Sequence, residues 1–144
     1  MERLMRQSFC GNHVVMAEIK ILVGCGESSV TETIVVLLSY SCQVTARAHF
    51  DELVRDACAG EFGLVVVYGN CISPPYLCDG GLLENTVLAI KTIRASRAVT
   101  IVALTSTEEW CEPLRAAGAN VCLGTPFTAA EFKAAVSGCL QCRA

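Results

Sequence analysis

Long apolar runs are missing from this 144-residue chain, although it is rich in apolar residues. Hydrophobic side chains make up 53% of it and the mean hydropathy is +0.48. The longest uninterrupted stretches nevertheless have the size of Ile34–Leu38 and Leu64–Val67. A membrane-spanning helix needs about 18 such residues in a row, so no membrane segment is expected. The first residues (MERLMRQSFCGNHVVMAE) lack the continuous apolar core of a secretory signal. Charge of one sign is not concentrated either. With 11 basic and 14 acidic residues, a net charge of −3 and no basic cluster, nucleic acid is not an expected ligand. There are two histidines, His13 and His49. His49 is expected to start the second helix on the amino-edge side of the sheet, and neither histidine has an evident serine or cysteine partner, so the chain reads as a non-enzyme. Internal repeats, low-complexity tracts and linkers are absent.

Cysteine, by contrast, is abundant. The ten (Cys10, Cys25, Cys42, Cys58, Cys71, Cys78, Cys111, Cys122, Cys139 and Cys142) are scattered through regular elements rather than spaced along a loop-rich scaffold. Free cysteine packs as a small hydrophobe. Without a secretion signal, reduced thiols and a cytoplasmic location are expected. Cys139-x-x-Cys142 has metal spacing but no second such pair and no paired histidines, so no metal site and no cofactor are expected. The length suits one domain. Residues 1–18 read as a disordered N-terminal extension, with Met16 as an alternative start, and residues 19–144 as the domain.

Periodicity supplies the architecture. Ile19–Val23, Gln43–Ala46, Leu64–Tyr68, Thr100–Leu104 and Asn120–Leu123 read as strands, and LVVV and IVAL are the near-continuous apolar runs of strands covered on both faces. Between them lie helical stripes: Val30, Ile34, Leu37 and Leu38; Phe50, Leu53, Val54, Ala57 and Cys58; Leu83, Val87 and Ile90; Phe132, Ala135, Val136 and Cys139. The fourth helix is less regular. Ser106 and Glu109 have capping-box spacing, yet Pro113 would then fall inside the helix, which therefore starts near Pro113 or has a kinked first turn. Gly60 and Gly118 stand where helices should end. Five βα units in succession predict an α/β fold, a three-layer α/β/α sandwich around a five-stranded parallel sheet. Ligands of such sheets bind beyond the carboxyl ends of the strands. That edge carries Gly24–Ser29, the long loop Gly69–Gly81, Thr105–Thr107 and Gly124–Phe127.

The segments IKILVGCGE, FGLVVVYGNCISPP, VTIVALTS and AGANVCLGTPF, taken in this order, resemble a response-regulator receiver domain over about Ile19 to Leu140. The resemblance implies a flavodoxin-like (βα)5 fold with strand order 2-1-3-4-5, a cis peptide bond before Pro126 and a role in signal transduction. It also implies a phosphorylation pocket: an acidic pair holding Mg²⁺ after the first strand, a nucleophilic aspartate after the third, a hydroxyl after the fourth and a lysine after the fifth. On this chain those positions carry Cys25 and Gly26, Tyr68, Thr105 and Thr125, and only Thr105 fits. The aromatic switch position falls on Cys122. A tyrosine hydroxyl, with an ordinary pKa near ~10, stays protonated at neutral pH and forms no acyl phosphate.

The expectation is thus a degenerate pseudo-receiver acting by phosphorylation-independent protein–protein interaction, with Tyr68 filling the vacated volume and its hydroxyl near Thr105 or Thr125. The partner is expected to be a signalling protein, or a second copy bound through helix 4, strand 5 and helix 5. Trp110, Cys111, Leu114 and Cys122 are candidates for that face. Two alternatives use the same pocket edge. One is a small-ligand sensor built on the glycines of Gly24–Ser29. The other is a thiol switch, with Cys25 in an exposed pocket near a helix N-terminus and Cys71 or Cys78 as resolving thiol.

Overall fold

Valine, isoleucine and leucine crowd the central strands because both faces of the sheet are covered. The computed structural model describes residues 19–38 and 42–143, with side chains as far as Cys139. The expected extension 1–18, with Cys10, His13 and Met16, lies outside the described residues, as does the side chain of Cys142. β3 (Leu64–Tyr68) is buried along its whole length and β4 (Thr100–Thr105) from its second residue onward. β1 (Lys20–Gly24) lies between β3 and β2 (Gln43–Arg47), and β5 (Val121–Gly124) forms the opposite edge. All pairings are parallel and the order is β2-β1-β3-β4-β5, as the resemblance implied.

The alternation of side chains along each strand divides the core in two. Leu22, Val65, Val67, Ile101 and Ala103 face the helices α2 (Phe50–Cys58), α3 (Leu82–Ser96) and α4 (Cys111–Ala117), where they meet Phe50, Leu53, Ile90, Ile93 and Leu114. Ile21, Val23, Leu64, Val66, Val102 and Leu104 face α1 (Ser28–Leu38) and α5 (Ala129–Arg143), meeting Ile34, Leu38, Phe132 and Val136. Each fully buried side chain of this kind contributes roughly 1.5–3 kcal/mol. Tyr68, two residues beyond Val66, belongs by the same alternation to the α1/α5 half.

Two local expectations are corrected. The buried face of α3 is formed by Asn85, Thr86, Ala89, Ile90 and Ile93, with Leu83 and Val87 only flanking it. Ser106 and Glu109 form no capping box: the Ser106 N–H is taken by Asn70 and a short 3-10 turn, Glu108–Trp110, leads into α4. Pro113 falls in the first turn of α4, where its missing N–H costs nothing. Reciprocal bonds between Thr128 and Glu131 (2.7 and 3.0 Å) make the real capping box, at α5. Gly60 and Gly118 do end helices, with φ of 89° and 132°, a region side-chain-bearing residues avoid.

Candidate functional site

Five loops leave the carboxyl ends of the strands, and hydrogen bonds stitch them together. Past β3 the chain makes a 3-10 turn, Gly69–Cys71, and then crosses the ends of β1 and β2. The carbonyl of Cys71 accepts the N–H of Gly26 at 2.5 Å, the N–H of Ser73 donates to the carbonyl of Ala48 at 2.7 Å, and His49 Nδ1 lies 2.5 Å from the carbonyl oxygen of Pro74. His49 and Ser73 also pair as an isolated parallel bridge. The segment Cys71–Pro74 is thus a strap over this edge. His49 follows β2 and therefore stands on the carboxyl edge, not the amino edge expected from the sequence.

The strap explains Gly26. A Cβ placed there would collide with Ser73 Oγ and lie 2.7 Å from the Cys71 carbonyl oxygen and 2.9 Å from the Ser73 nitrogen. No side chain fits at this position while the strap is in place.

Cys25 is 3% exposed, so the exposed thiol expected at the end of β1 is instead a buried one. Its carbonyl accepts the hydroxyl of Thr31 at 3.1 Å. Cys71, expected as its partner, is its neighbour, and the two thiols converge on Glu27: Cys25 Sγ donates to the Glu27 carbonyl at 3.8 Å and Cys71 Sγ to Glu27 Oε1 at 3.6 Å. Burial first, then the proximity of Cys25 and Glu27, pushes the Cys71 thiol up to about 12. Cys78 is not part of this group; it is held against Gly80 by the bonds of Asn85.

Tyr68 is 8% exposed and lies beside Thr125. Burial, and after it the neighbouring Cys71 and Cys25, raises its pKa above the ordinary phenolic value; the nearby Thr125 hydroxyl opposes this without cancelling it. Of the two partners expected for Tyr68, the structure brings Thr125. Thr105, fully buried, spends its hydroxyl on Thr107, accepting that residue's N–H and donating to its carbonyl, both at 3.0 Å. The Thr125–Pro126 bond is cis, as implied, and so is Pro74–Pro75, which was not foreseen.

Sequence reasoning missed the residues that hold the loops. Asn85, fully buried on α3, accepts the N–H groups of Leu77 (2.6 Å) and Cys78 (3.0 Å) and donates to the carbonyls of Cys78, Gly80 and Gly81. Its only signal was a polar residue on the helix face opposite the expected stripe Leu83, Val87 and Ile90. The expected interaction face is also redrawn. Leu114 is fully buried, and the neighbouring thiols Cys111 and Cys122 are 8% and 6% exposed. The short α4 needs its whole apolar stripe to cover the sheet. Trp110 alone of the four is partly exposed. The accessible part of this face is a polar groove of about 490 Å³ bordered by Glu108, Glu112, Arg115 and Pro126, with the expected Cys111 and Cys122 in its lining. A second, apolar groove of about 310 Å³ runs between α1 and α5, with Tyr68 and Thr125 among Val30, Leu37, Phe127 and Phe132.

No family model and no curated protein matches the sequence. Solved structures do. A response-regulator receiver domain protein from Clostridium thermocellum superposes with a TM-score of 0.72 at 18% identity, over 88% of this chain and 97% of that one. A two-component response regulator from Clostridium difficile gives 0.71 at 17% identity, over 86% and 97%. The fold is that of a receiver domain. A further receiver domain, from a sensor histidine kinase of Pseudomonas aeruginosa and solved with magnesium in its active-site cleft, gives 0.66 at 26% identity, over 81% of this chain and 93% of that one. In the present receiver fold the donors at the corresponding edge do not suit such an ion. Magnesium takes hard oxygen ligands in near-octahedral geometry, whereas Cys25 offers sulfur, Gly26 has no side chain and Tyr68 offers a protonated phenol. Among the described residues no group of three or more His, Cys, Asp or Glu is placed to hold a metal.

Proposed function

We propose that this chain is a pseudo-receiver: a signalling domain that acts by binding a protein partner, without phosphorylation and without catalysis. The observation that carries the reading is the closure of the carboxyl edge. The strap leaves no space at Gly26, and β3 ends in a buried, protonated tyrosine beside Thr125. A phosphoryl group arriving at the end of β3 would meet a phenol and not a carboxylate nucleophile. The partner face in this reading is the polar groove of α4 and β5 together with the partly exposed Trp110, which precedes α4; a second copy of the chain is one candidate occupant. Among the described residues no helix is long and apolar enough to cross a membrane, and a cytoplasmic location goes with the proposal.

Intact-mass measurement after incubation with acetyl phosphate and Mg²⁺ should detect no phosphorylated species. The immobilised chain should retain the same partner with and without the phosphodonor, and Arg115→Glu should release it. Retention only in the presence of acetyl phosphate, or a stable phosphoryl adduct, would overturn the reading. The thiol alternative is less well supported, because Cys25, its reactive thiol, is buried, and Cys71, its nearest resolving thiol, is pushed up to about 12 and supplies almost no thiolate at neutral pH.

A further inference from the structure

One side chain ties the β3 edge to the partner face, and neither the expected pocket nor the strap uses it. Asn70 directs its carboxamide oxygen to the backbone N–H of Ser106, the first residue past β4, at 3.0 Å. Beyond Ser106 the chain is held bond by bond. Thr105 Oγ1 grips both the N–H and the carbonyl of Thr107, and the same carbonyl accepts the N–H of Trp110 at 3.0 Å. The carbonyl of Thr105 in turn accepts the N–H of Thr125 at 2.8 Å. Ser106 is thus flanked by Thr105 and Thr107, both hydrogen-bonded, and Thr107 in turn holds Trp110.

The other end of the tie is equally fixed. Asn70 is the middle residue of the 3-10 turn Gly69–Cys71. Before it, Gly69 approaches Thr86 of α3 so closely that a Cβ would overlap the threonine hydroxyl. After it, the Cys71 carbonyl is bound by Gly26. The carboxamide therefore projects from backbone clamped on both sides.

We propose that Asn70 is the positioning residue of the partner face: it fixes the β4–α4 loop, and through it the setting of Glu108 in the wall of the polar groove and of Trp110 two residues further along the same 3-10 turn. The proposal rests on the reading that this groove binds the partner. Its test does not need a partner at the outset, because Trp110 is the chain's single tryptophan and its emission reports the loop directly. In Asn70→Ala the Trp110 emission maximum should move, and the Ser106 amide should exchange roughly fivefold faster, the factor for losing one ordinary hydrogen bond. Asn70→Asp, which keeps an acceptor oxygen in place, should restore both. Asn85→Ala, a loss of buried hydrogen bonds elsewhere on the same edge, should lower the melting temperature while leaving Ser106 exchange and Trp110 emission as in the wild type. A merely structural Asn70 would not separate the two variants in this way. Unchanged emission and exchange in Asn70→Ala would overturn the proposal, as would altered spectra with partner retention equal to wild type. Should wild-type chain retain no partner at all, the functional reading fails, while the two spectroscopic readouts still decide whether Asn70 sets the loop.

Discussion

Gly26 shows how one residue can be small for a reason that its own strand does not supply. β1 ends at Gly24, and nothing in the strand pattern forbids a side chain two residues later; the prohibition comes from Cys71 and Ser73, distant in sequence. Gly26→Asp should therefore destabilise the fold by about 1–3 kcal/mol, the usual range for overpacking a filled site. It should not create magnesium affinity; thermal melts with and without MgCl₂ test both points. Cys71 makes a second prediction at this scale. With its thiol pushed up to about 12, iodoacetamide should label it slowly at neutral pH and progressively faster up to pH 10, as the thiolate fraction grows about tenfold per pH unit. Peptide mass spectrometry after timed labelling reads this directly. A rate already at its plateau near pH 7 would contradict the environment described for this residue.

Among the elements, α3 is the one whose interior chemistry matters most. Its buried face carries Asn85 and Thr86 where an apolar stripe alone would be simpler. Thr86 turns its hydroxyl back to the Leu82 carbonyl at 2.7 Å, but Asn85 spends its whole carboxamide on the loop before the helix. Asn85→Ala should cost about 2–4 kcal/mol, because the N–H groups of Leu77 and Cys78 lose their acceptor in a part-buried setting. Limited proteolysis should then find its first new cut between residues 77 and 81. The same helix marks the limit of legibility. Near-continuous apolar runs revealed the central strands, because burial on both sheet faces demands them, and helical stripes revealed every helix but α4, whose start had to be inferred from Pro113. The pattern on α3 was misread because a polar residue holding a loop looks like a solvent-facing one. Tyr68 was legible as a plug from its place at the end of an apolar strand. The strap, Asn70 and the redrawn α4 face were not, since each depends on which loops meet at the sheet edge, and no local periodicity encodes that.

At the scale of the whole molecule, one pH response stands out. Burial alone would raise the Asp56 pKa, but hydrogen bonds from Arg47 (2.7 Å) and Arg55 (3.1 Å), and their charges, hold it below the usual carboxylate range. A folded pKa below the unfolded one stabilises the protein above about pH 4 and ceases to do so as the pH falls through the folded value. The pair is partly exposed, so the contribution is at most about 1 kcal/mol. Asp56→Asn should lower the stability slightly at pH 7 and make no difference near pH 2, which denaturant titrations at the two pH values can resolve. The pair joins β2, an edge strand, to α2, so its loss should show first as faster amide exchange along Gln43–Arg47.

Cys71–Pro74 occupies the ground that any side chain at position 26 would need. An acidic replacement there meets a clash before it can meet an ion, so a carboxylate at this position requires the loop to be rebuilt first. What residue 26 can become is decided by a segment more than forty residues away.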